Sequence, residues 1–314
     1  MPCYSPLNAF QSKHKKPNGK TFLSFSKVKS KKNWNSIKVP CGQCIGCRLE
    51  RSRQWAVRCV HESKLHEENC FITLTFNDEH LNNNKSLVKR DFQLFMKRLR
   101  RAFPEKTIRY FHCGEYGEQK HRPHHHACIF GLDFKDKLLW KVQNEENYYT
   151  SEKLTKIWSD PKTKKPYGFC TIGEVNFKTA AYVARYITKK ITGEHASTYY
   201  NELDYQTGEI LIERIPEYTT MSRRPGIGKK WYDQFNGDWY HEDKLIMRGK
   251  EMKPPKYYDK LYELENPEHM EEIKCQRKQT AILRKEDTTE ERLAVRNRNK
   301  IRQTNQLKRG YEKL

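Results

Sequence analysis

Apolar and polar positions repeat with two different periods along this chain, and the switches between them mark its elements. From about Arg48 to His66 the spacing is helical. Leu49, Trp55 with Ala56, and Cys59 with Val60 form an apolar face, while Arg48, Arg51, Arg53 and Arg58 supply cations. Cys70-Phe-Ile-Thr-Leu-Thr-Phe76 then reads as a strand, β-branched and aromatic, ended by Asn77-Asp78. Its period of two sets Ile72, Leu74 and Phe76 on one face and Phe71, Thr73 and Thr75 on the other. Asp91 is expected to cap an amphipathic helix through Phe103, with Phe92, Phe95, Met96, Leu99 and Phe103 inward and Pro104 closing it. Strands are expected at 107–113 and 124–130, joined by a loop from Gly114 to Pro123. Residues 151–158 read as a short helix, 169–175 as another strand, and a helix carrying Tyr182 follows directly.

The order β, α, β, β, α, β, α is that of an α+β fold: an antiparallel sheet with a split βαβ (ferredoxin-like) core. One face of such a sheet carries helices, and the other is expected to be free for a ligand. This core is expected over 67–195, after an N-terminal extension (1–66) that includes a Cys knuckle and a basic helix. An accessory region follows at 196–265, with a hairpin from Tyr199 to Ile215 around Gln206-Thr-Gly208. The stretch 266–314 is charged and apolar-poor, a basic tail that is either helical or disordered.

Charge then narrows the partners. The chain has 61 Lys and Arg against 39 Asp and Glu, a formal net charge of +22. Such an excess points to a polyanion, nucleic acid first and an anionic membrane second. The membrane is disfavoured because no apolar run approaches the ~20 residues needed to span it. The start, Met1-Pro-Cys-Tyr-Ser-Pro, lacks a signal-peptide pattern, so a cytosolic setting is expected. There the ten cysteines are thiols or metal ligands rather than disulfides. Ser222-Arg-Arg-Pro-Gly-Ile-Gly-Lys-Lys230 is a basic glycine loop whose amides, with Arg223, Arg224, Lys229 and Lys230, could wrap a phosphate. It lacks the order of a nucleotide-binding P-loop, and the plainer alternative is a solvated loop. Arg122 and Arg185 complete the candidate DNA contacts.

Three groups of residues carry candidate chemistry. Cys41-Gly-Gln-Cys44-Ile-Gly-Cys47 spaces three cysteines so that their thiolates can converge on one metal, and a closed tetrahedral Zn2+ site needs a fourth. Cys3 is favoured, because a hairpin through 8–38 could return it beside Cys41; Cys59 is the alternative, and a metal-free cysteine-rich turn is the plainer reading. In Pro123-His124-His-His126, strand alternation puts His124 and His126 on one face and turns His125 away. Two imidazoles so placed can hold a divalent ion if a third ligand joins them. Glu115, across the hairpin, is the first candidate and Glu118 the second, against a simple surface histidine cluster. Finally, Tyr182-Val-Ala-Arg-Tyr186-Ile-Thr-Lys-Lys190 places Tyr182, Tyr186 and Lys189 or Lys190 in one helical row. Ala180, Val183, Ala184, Ile187 and Ile191 would bury behind them. The spacing alone leaves two readings level: phenols presented outward, or tyrosines that merely pack.

Together, Phe71-Ile-Thr-Leu-Thr-Phe76, Pro123-His-His-His126 and Tyr182-x-x-x-Tyr186-x-x-Lys189-Lys190 resemble, in order, the three motifs of the HUH endonucleases of rolling-circle replication. The paired tyrosines resemble the two-tyrosine class. With the Cys knuckle, the Gly114-Glu-Tyr-Gly turn and the 222–230 loop, the chain is similar to replication initiation proteins of gokushovirus-type microviruses, from Cys3 to about Trp231. His125 departs from the family's usual apolar or aromatic residue. The resemblance implies tyrosine attack on origin DNA, a 5′-phosphotyrosyl link, a free 3′-hydroxyl primer and later closure of the product circle. It implies Mg2+ or Mn2+ on His124, His126 and Glu115, with Lys189 or Lys190 assisting. The implied partners are single-stranded origin DNA and a host polymerase and helicase, in the host bacterial cytoplasm. Two rivals stay open: a non-catalytic zinc-knuckle nucleic-acid binder, and a relaxase or transposase with the same core.

Overall fold

The structure is a computed structural model. It describes residues 3–15, 21–26, 34–117, 121–143, 145–189, 195–204, 206–207 and 209–306, with only the backbone at 15, 186–189, 195, 197, 203 and 306. Fourteen strands and ten α-helices are described along the chain. The first are β1 (Leu7–Lys15), β2 (Thr21–Ser24), β3 (Trp34–Val39), α1 (Ile45–Ser63), β4 (Asn69–Leu74), α2 (Lys89–Ala102), β5 (Arg109–Tyr116), β6 (Pro123–Phe130) and β7 (Lys137–Gln143). Next come β8 (Glu146–Ser151), α3 (Glu152–Ile157), β9 (Cys170–Gly173), α4 (Phe177–Lys189), α5 (His195–Tyr200), β10 (Asn201–Leu203) and β11 (Ile210–Glu213). The last are β12 (Tyr218–Met221), α6 (Lys229–Phe235), α7 (Gly237–Tyr240), β13 (Leu245–Met247), β14 (Lys250–Met252), α8 (Lys256–Glu265), α9 (Pro267–Leu283) and α10 (Glu290–Gln306). None of the described helices is long and apolar enough to cross a membrane. The chain forms two compact units, one of 1–51 with 272–308 and one of 52–271 with 309–314.

The larger unit is built on a seven-stranded sheet of order β12-β5-β6-β4-β9-β8-β7, antiparallel at every pairing. Alternation along β4 decides what each face receives. Cys70, Ile72 and Leu74 pack with Phe92, Phe95, Met96 and Leu99 of α2 and with Leu154, Ile157 and Trp158 at α3. Phe71 points the other way, into a cluster with Ala180, Tyr182, Val183 and Ala184 of α4, Ala56 and Cys59 of α1, and Ile227. Helices therefore cover both faces, and the expectation of one free face is corrected. α4 packs on β5, β6 and β12.

Local sequence explains most boundaries. On α2 the buried residues fall at i, i+3, i+4 and i+7, the stripe a helix needs to dock on a sheet. Its N-cap is Val88, without a side-chain bond, and Asp91 lies inside the first turn rather than at the cap. β5 runs three residues further than expected, so Gly114, Glu115 and Tyr116 are strand rather than loop. Gly114 permits this: a Cβ there would sit 3.1 Å from Leu87 and from the Tyr218 ring, which close over it. The hairpin β7–β8 is absent from the sequence reading. Its strand Leu138-Leu-Trp140 is largely exposed, so it lacks the in–out alternation that marks a half-buried strand.

In the smaller unit, β1 pairs with both β2 and β3, in the order β2-β1-β3. The register Leu7↔Val39 brings the residues before β1 beside those after β3. The C-terminal stretch is helical here: α10 buries Leu293, and Glu290 pairs with Lys38 at 3.7 Å.

Candidate metal and nucleophile site

Three strands and one helix of the larger unit converge on a point. The β5–β6 ladder sets Glu115 opposite His124 and Cys113 opposite His126, and β4 sets Thr73 opposite His126. Period-two alternation then puts Glu115, His124, His126 and Thr73 on the α4 face. His124 Nε2 lies 2.6 Å and His126 Nε2 2.8 Å from the same carboxylate oxygen, Glu115 Oε1. The ligand atoms of all three residues lie within 4.8 Å of one another. Glu118, the alternative third ligand, lies outside the described residues.

Hydrogen bonds behind the ligands define their chemistry. His124 Nδ1 is 3.1 Å from Arg122 O, and a carbonyl only accepts, so Nδ1 carries the proton. In neutral His124 the Nε2 lone pair therefore faces the carboxylate. Two acceptors at 2.6 Å need a cation between them, either a proton or a metal ion. His126 Nδ1 is bonded to Thr73 Oγ1 at 2.8 Å, which orients the second ring in the same way. Glu115 Oε2 is buried without a hydrogen-bond partner among the described residues. Burial pushes the Glu115 carboxyl up, but the charges and hydrogen bonds of His124 and His126 outweigh it and hold the group below the ordinary carboxylate range. Two imidazoles, an ionised carboxylate and one spare carboxylate oxygen fit a hard divalent cation that keeps open positions.

The helix completes the site. Asn176 and Thr179 cap α4 reciprocally: Thr179 N–H donates to Asn176 Oδ1 at 3.0 Å, and Asn176 N–H donates to Thr179 Oγ1 at 2.8 Å. Ser52 on α1 donates to Ala181 O at 2.7 Å. So fixed, α4 aims the Tyr182 hydroxyl at the triad, 3.4 Å from Glu115 Oε1 and 3.5 Å from His126 Nε2. Tyr182 is 1% exposed, which corrects the expectation of an outward phenol. The helix lies flat on β5 and β6, so a residue flanking its apolar stripe still meets the sheet rather than solvent. The side chains of Tyr186 and Lys189, and all of Lys190, lie outside the described residues.

His125 turns to the α2 face, where its Nδ1 meets His112 Nε2 at 3.1 Å and burial pushes it down to about 3. Arg122 is engaged internally, paired with Asp78 and donating to Phe76 O at 2.8 Å. Arg185 lies 5.8 Å from the Tyr182 ring. Arg223, Arg224 and Lys230 are exposed, while Lys229 pairs with Asp233. The 222–230 loop does not offer its amides freely. Gly228 N–H donates to the buried Glu62 at 2.6 Å, and Arg58 and Arg109 donate to Ile227 O and Pro225 O. A carboxylate of this chain thus takes a donor the sequence reading assigned to a phosphate.

In the smaller unit Cys3, Cys41, Cys44 and Cys47 bring their sulfurs within 4.8 Å of one another. Cys3 Sγ is 3.7 Å from Cys41 and 3.9 Å from Cys44. Backbone N–H groups of Tyr4, Cys41 and Cys44 donate to sulfurs of the cluster at 3.2–3.3 Å. Burial works to raise the Cys44 thiol, yet N–H donors of Tyr4 and Cys47 and the neighbouring thiols bring it down to about 6. Cys59 is not part of this group; it is fully buried in the core of the larger unit, where burial pushes its thiol up.

Sequence reasoning missed Thr73 as a ligand-orienting residue and Glu62 as the anchor of the basic loop. Thr73 was legible, since it shares a strand face with Phe71, and β4 borders the histidine strand. Glu62 carried no local signal.

The family model for replication-associated protein ORF2/G2P matches residues 69–191. The chain is 34% identical over 283 residues to the replication-associated protein ORF2 of Spiroplasma virus 4, covering 84% of this chain and 81% of that one. It is 32% identical over 255 residues to the replication-associated protein VP4 of Bdellovibrio phage phiMH2K, covering 78% and 74%. A shorter match, 33% over 171 residues, is to the replication-associated protein ORF4 of Chlamydia phage 1, covering 49% and 39%. No solved structure matches the chain.

Proposed function

Because this chain belongs to the replication-associated proteins of microviruses, the rolling-circle initiators of small DNA phages, we propose that it is a metal-dependent HUH endonuclease of the two-tyrosine class. Its strand order β5-β6-β4-β9, with β4 and β5 joined through α2, fits the split βαβ core of that class. The observation that carries the reading is the Tyr182 hydroxyl set within 3.5 Å of two members of a His–Glu–His triad.

The reaction is an in-line exchange at phosphorus. The phenolic oxygen of Tyr182 or Tyr186 bonds to the scissile phosphate, the bond from phosphorus to the 3′-oxygen breaks, and that oxygen leaves with a proton. A free phenol has a pKa near 10, so attack needs a proton acceptor close by; His126 Nε2 and Glu115 stand at that distance from Tyr182. Mg2+ or Mn2+ held by Glu115, His124 and His126 supplies charge neutralisation at the phosphate. One phosphodiester replaces another, so the 5′-phosphotyrosyl link keeps the bond energy and the exchange can run backwards to close a circle. Tyr186 lies four residues on, roughly 6 Å along the helix axis. It serves as the second nucleophile, which cuts the regenerated origin while the first still holds its 5′ end. Lys189 or Lys190 stabilises charge developing at phosphorus.

Arg122, Arg185, Arg223, Arg224, Lys229 and Lys230 are assigned to the DNA, with the host polymerase extending the freed 3′-hydroxyl, a host helicase opening the duplex and the host cytoplasm as the setting. Cys3, Cys41, Cys44 and Cys47 hold a structural Zn2+. Zinc–sulfur bonds of about 2.3 Å in a tetrahedron require sulfurs about 3.8 Å apart, and two pairs stand at 3.7 and 3.9 Å. The test is Mn2+-dependent nicking of origin DNA, with the covalent adduct mapped by peptide sequencing. Tyr182→Phe with Tyr186→Phe should abolish both nick and adduct, and His126→Ala should abolish the metal dependence. Nicking by the double tyrosine variant would refute the enzyme reading.

A further inference from the structure

The larger unit has a second cavity that the triad does not use, beside α2 at the sheet rim. It measures about 280 Å³, and its walls include Phe76, His80, Asp91, Arg98, Pro123 and Tyr167. Pro123 opens β6 and directly precedes the triad residue His124, so cavity and triad share one strand end. Asp91 and Arg98 are seven residues apart on α2, two turns along one stripe that faces the cavity. Arg98 Nε donates to Ile157 O at 2.8 Å, and the guanidinium lies 5.6 Å from the Tyr167 ring centre. Its Nη2 is buried with no hydrogen-bond partner among the described residues. A buried guanidinium nitrogen in that state is destabilising until something offers it an acceptor. Burial pushes the Asp91 carboxyl up, with Arg98 opposing. Tyr167 and His80 meet edge to face at 5.2 Å, which makes part of the wall aromatic.

We propose that this cavity receives one guanine base of the single-stranded DNA, with Asp91 accepting from N1–H and N2–H, Arg98 Nη2 donating to O6, and the aromatic wall against the base face. Guanine alone among the four bases presents two adjacent donors next to an acceptor on one edge, the complement of a carboxylate beside a guanidinium. The inference rests on the replication reading and adds to it a base preference next to the cleavage site. A cavity one residue from a metal ligand is within reach of the strand being cut, which favours a DNA base over a free nucleotide.

The test is fluorescence anisotropy with the full chain and labelled dT12 carrying one central dG, inosine, dA or dC, without added divalent cation. The wild type should bind the dG oligonucleotide roughly 5- to 150-fold more tightly than the dA or dC ones, the range of one good two-point base contact. Inosine, which lacks the N2 amine, should fall between. Asp91→Asn keeps shape but replaces an acceptor with a donor, and it should erase the preference while leaving dT12 affinity and the thermal melt unchanged. Arg98→Lys should reduce it. Equal wild-type affinity for all bases, a preference for dC, or an Asp91→Asn loss common to every oligonucleotide would overturn the cavity assignment alone. Guanosine monophosphate that competes as well as the oligonucleotide would overturn the DNA base in favour of a free nucleotide. A folded wild type that binds none of the oligonucleotides would sink the replication reading and this inference together.

Discussion

Thr73→Val probes the triad through a residue that touches neither metal nor DNA. Thr73 is buried, and its hydroxyl lies 2.8 Å from His126 Nδ1. Valine replaces that hydroxyl with a methyl and leaves the strand shape alone. The first consequence is energetic. His126 Nδ1 is left buried without its partner, at about 1–3 kcal/mol. For a unit of roughly 200 residues, that corresponds to a melting temperature lower by about 2–4 °C per kcal/mol. The second consequence concerns the metal. The ring loses the bond that fixes its tautomer and holds Nε2 toward Glu115, and outer partners of this kind are worth about 10–100-fold in metal affinity. Calorimetric titration with Mn2+ should therefore show a Kd raised by that factor. Nicking should fall at limiting Mn2+ and recover at saturation, because no reacting group has been removed. If Thr73→Val binds Mn2+ as tightly as the wild type while its melt stays in the expected range, the argument that this hydroxyl orients a metal ligand is refuted. If activity fails to recover at saturating Mn2+, Thr73 acts in some way other than through the metal.

Three further outcomes are expected. Purified protein should carry about one zinc per chain by elemental analysis, lost in Cys44→Ser together with the protease resistance of the 1–51 segment; a zinc-free wild type would refute the knuckle assignment. Burial, aided by Lys64, holds His61 down to about 3, below its ordinary value of 6.5, so the unfolded chain takes up a proton there before the fold does. Its contribution is therefore present above pH 6.5 and lost as pH falls toward 3. Between pH 7 and 5 urea unfolding should show a loss of about 2 kcal/mol relative to His61→Phe, and parallel pH profiles would contradict this. Arg223→Ala with Arg224→Ala should lower the salt slope of single-strand binding by about 0.7 per phosphate contact removed, leaving the melt unchanged; an unaltered slope would place both residues off the DNA.

Order and type of elements were legible wherever one face of an element is buried and the other is wet. That condition holds for β4 and α2, whose apolar positions fall where periods of 2 and 3.6 put them. It fails for β7, whose apolar residues are exposed, and so that hairpin left no readable alternation. The triad was legible for a related reason. His-x-His on a strand shares a face whatever surrounds it, and a hairpin must return a partner from the other strand. The cysteine cluster likewise followed from spacing and from the possibility that a hairpin returns Cys3 beside Cys41.

Direction and partnership were decided only in three dimensions. Tyr182 reads as an outward phenol on a helix drawn alone, but α4 lies flat on β5 and β6, and that docking turns the hydroxyl onto Glu115 and His126. The basic loop reads as a phosphate cradle, but Glu62, 166 residues from Gly228 along the chain, takes one of its amides. Local sequence carries propensity, period and motif spacing, because these depend on neighbours a few residues away. Which group ends against which depends on contacts between distant segments, and those exist only once the sheet has brought the segments together.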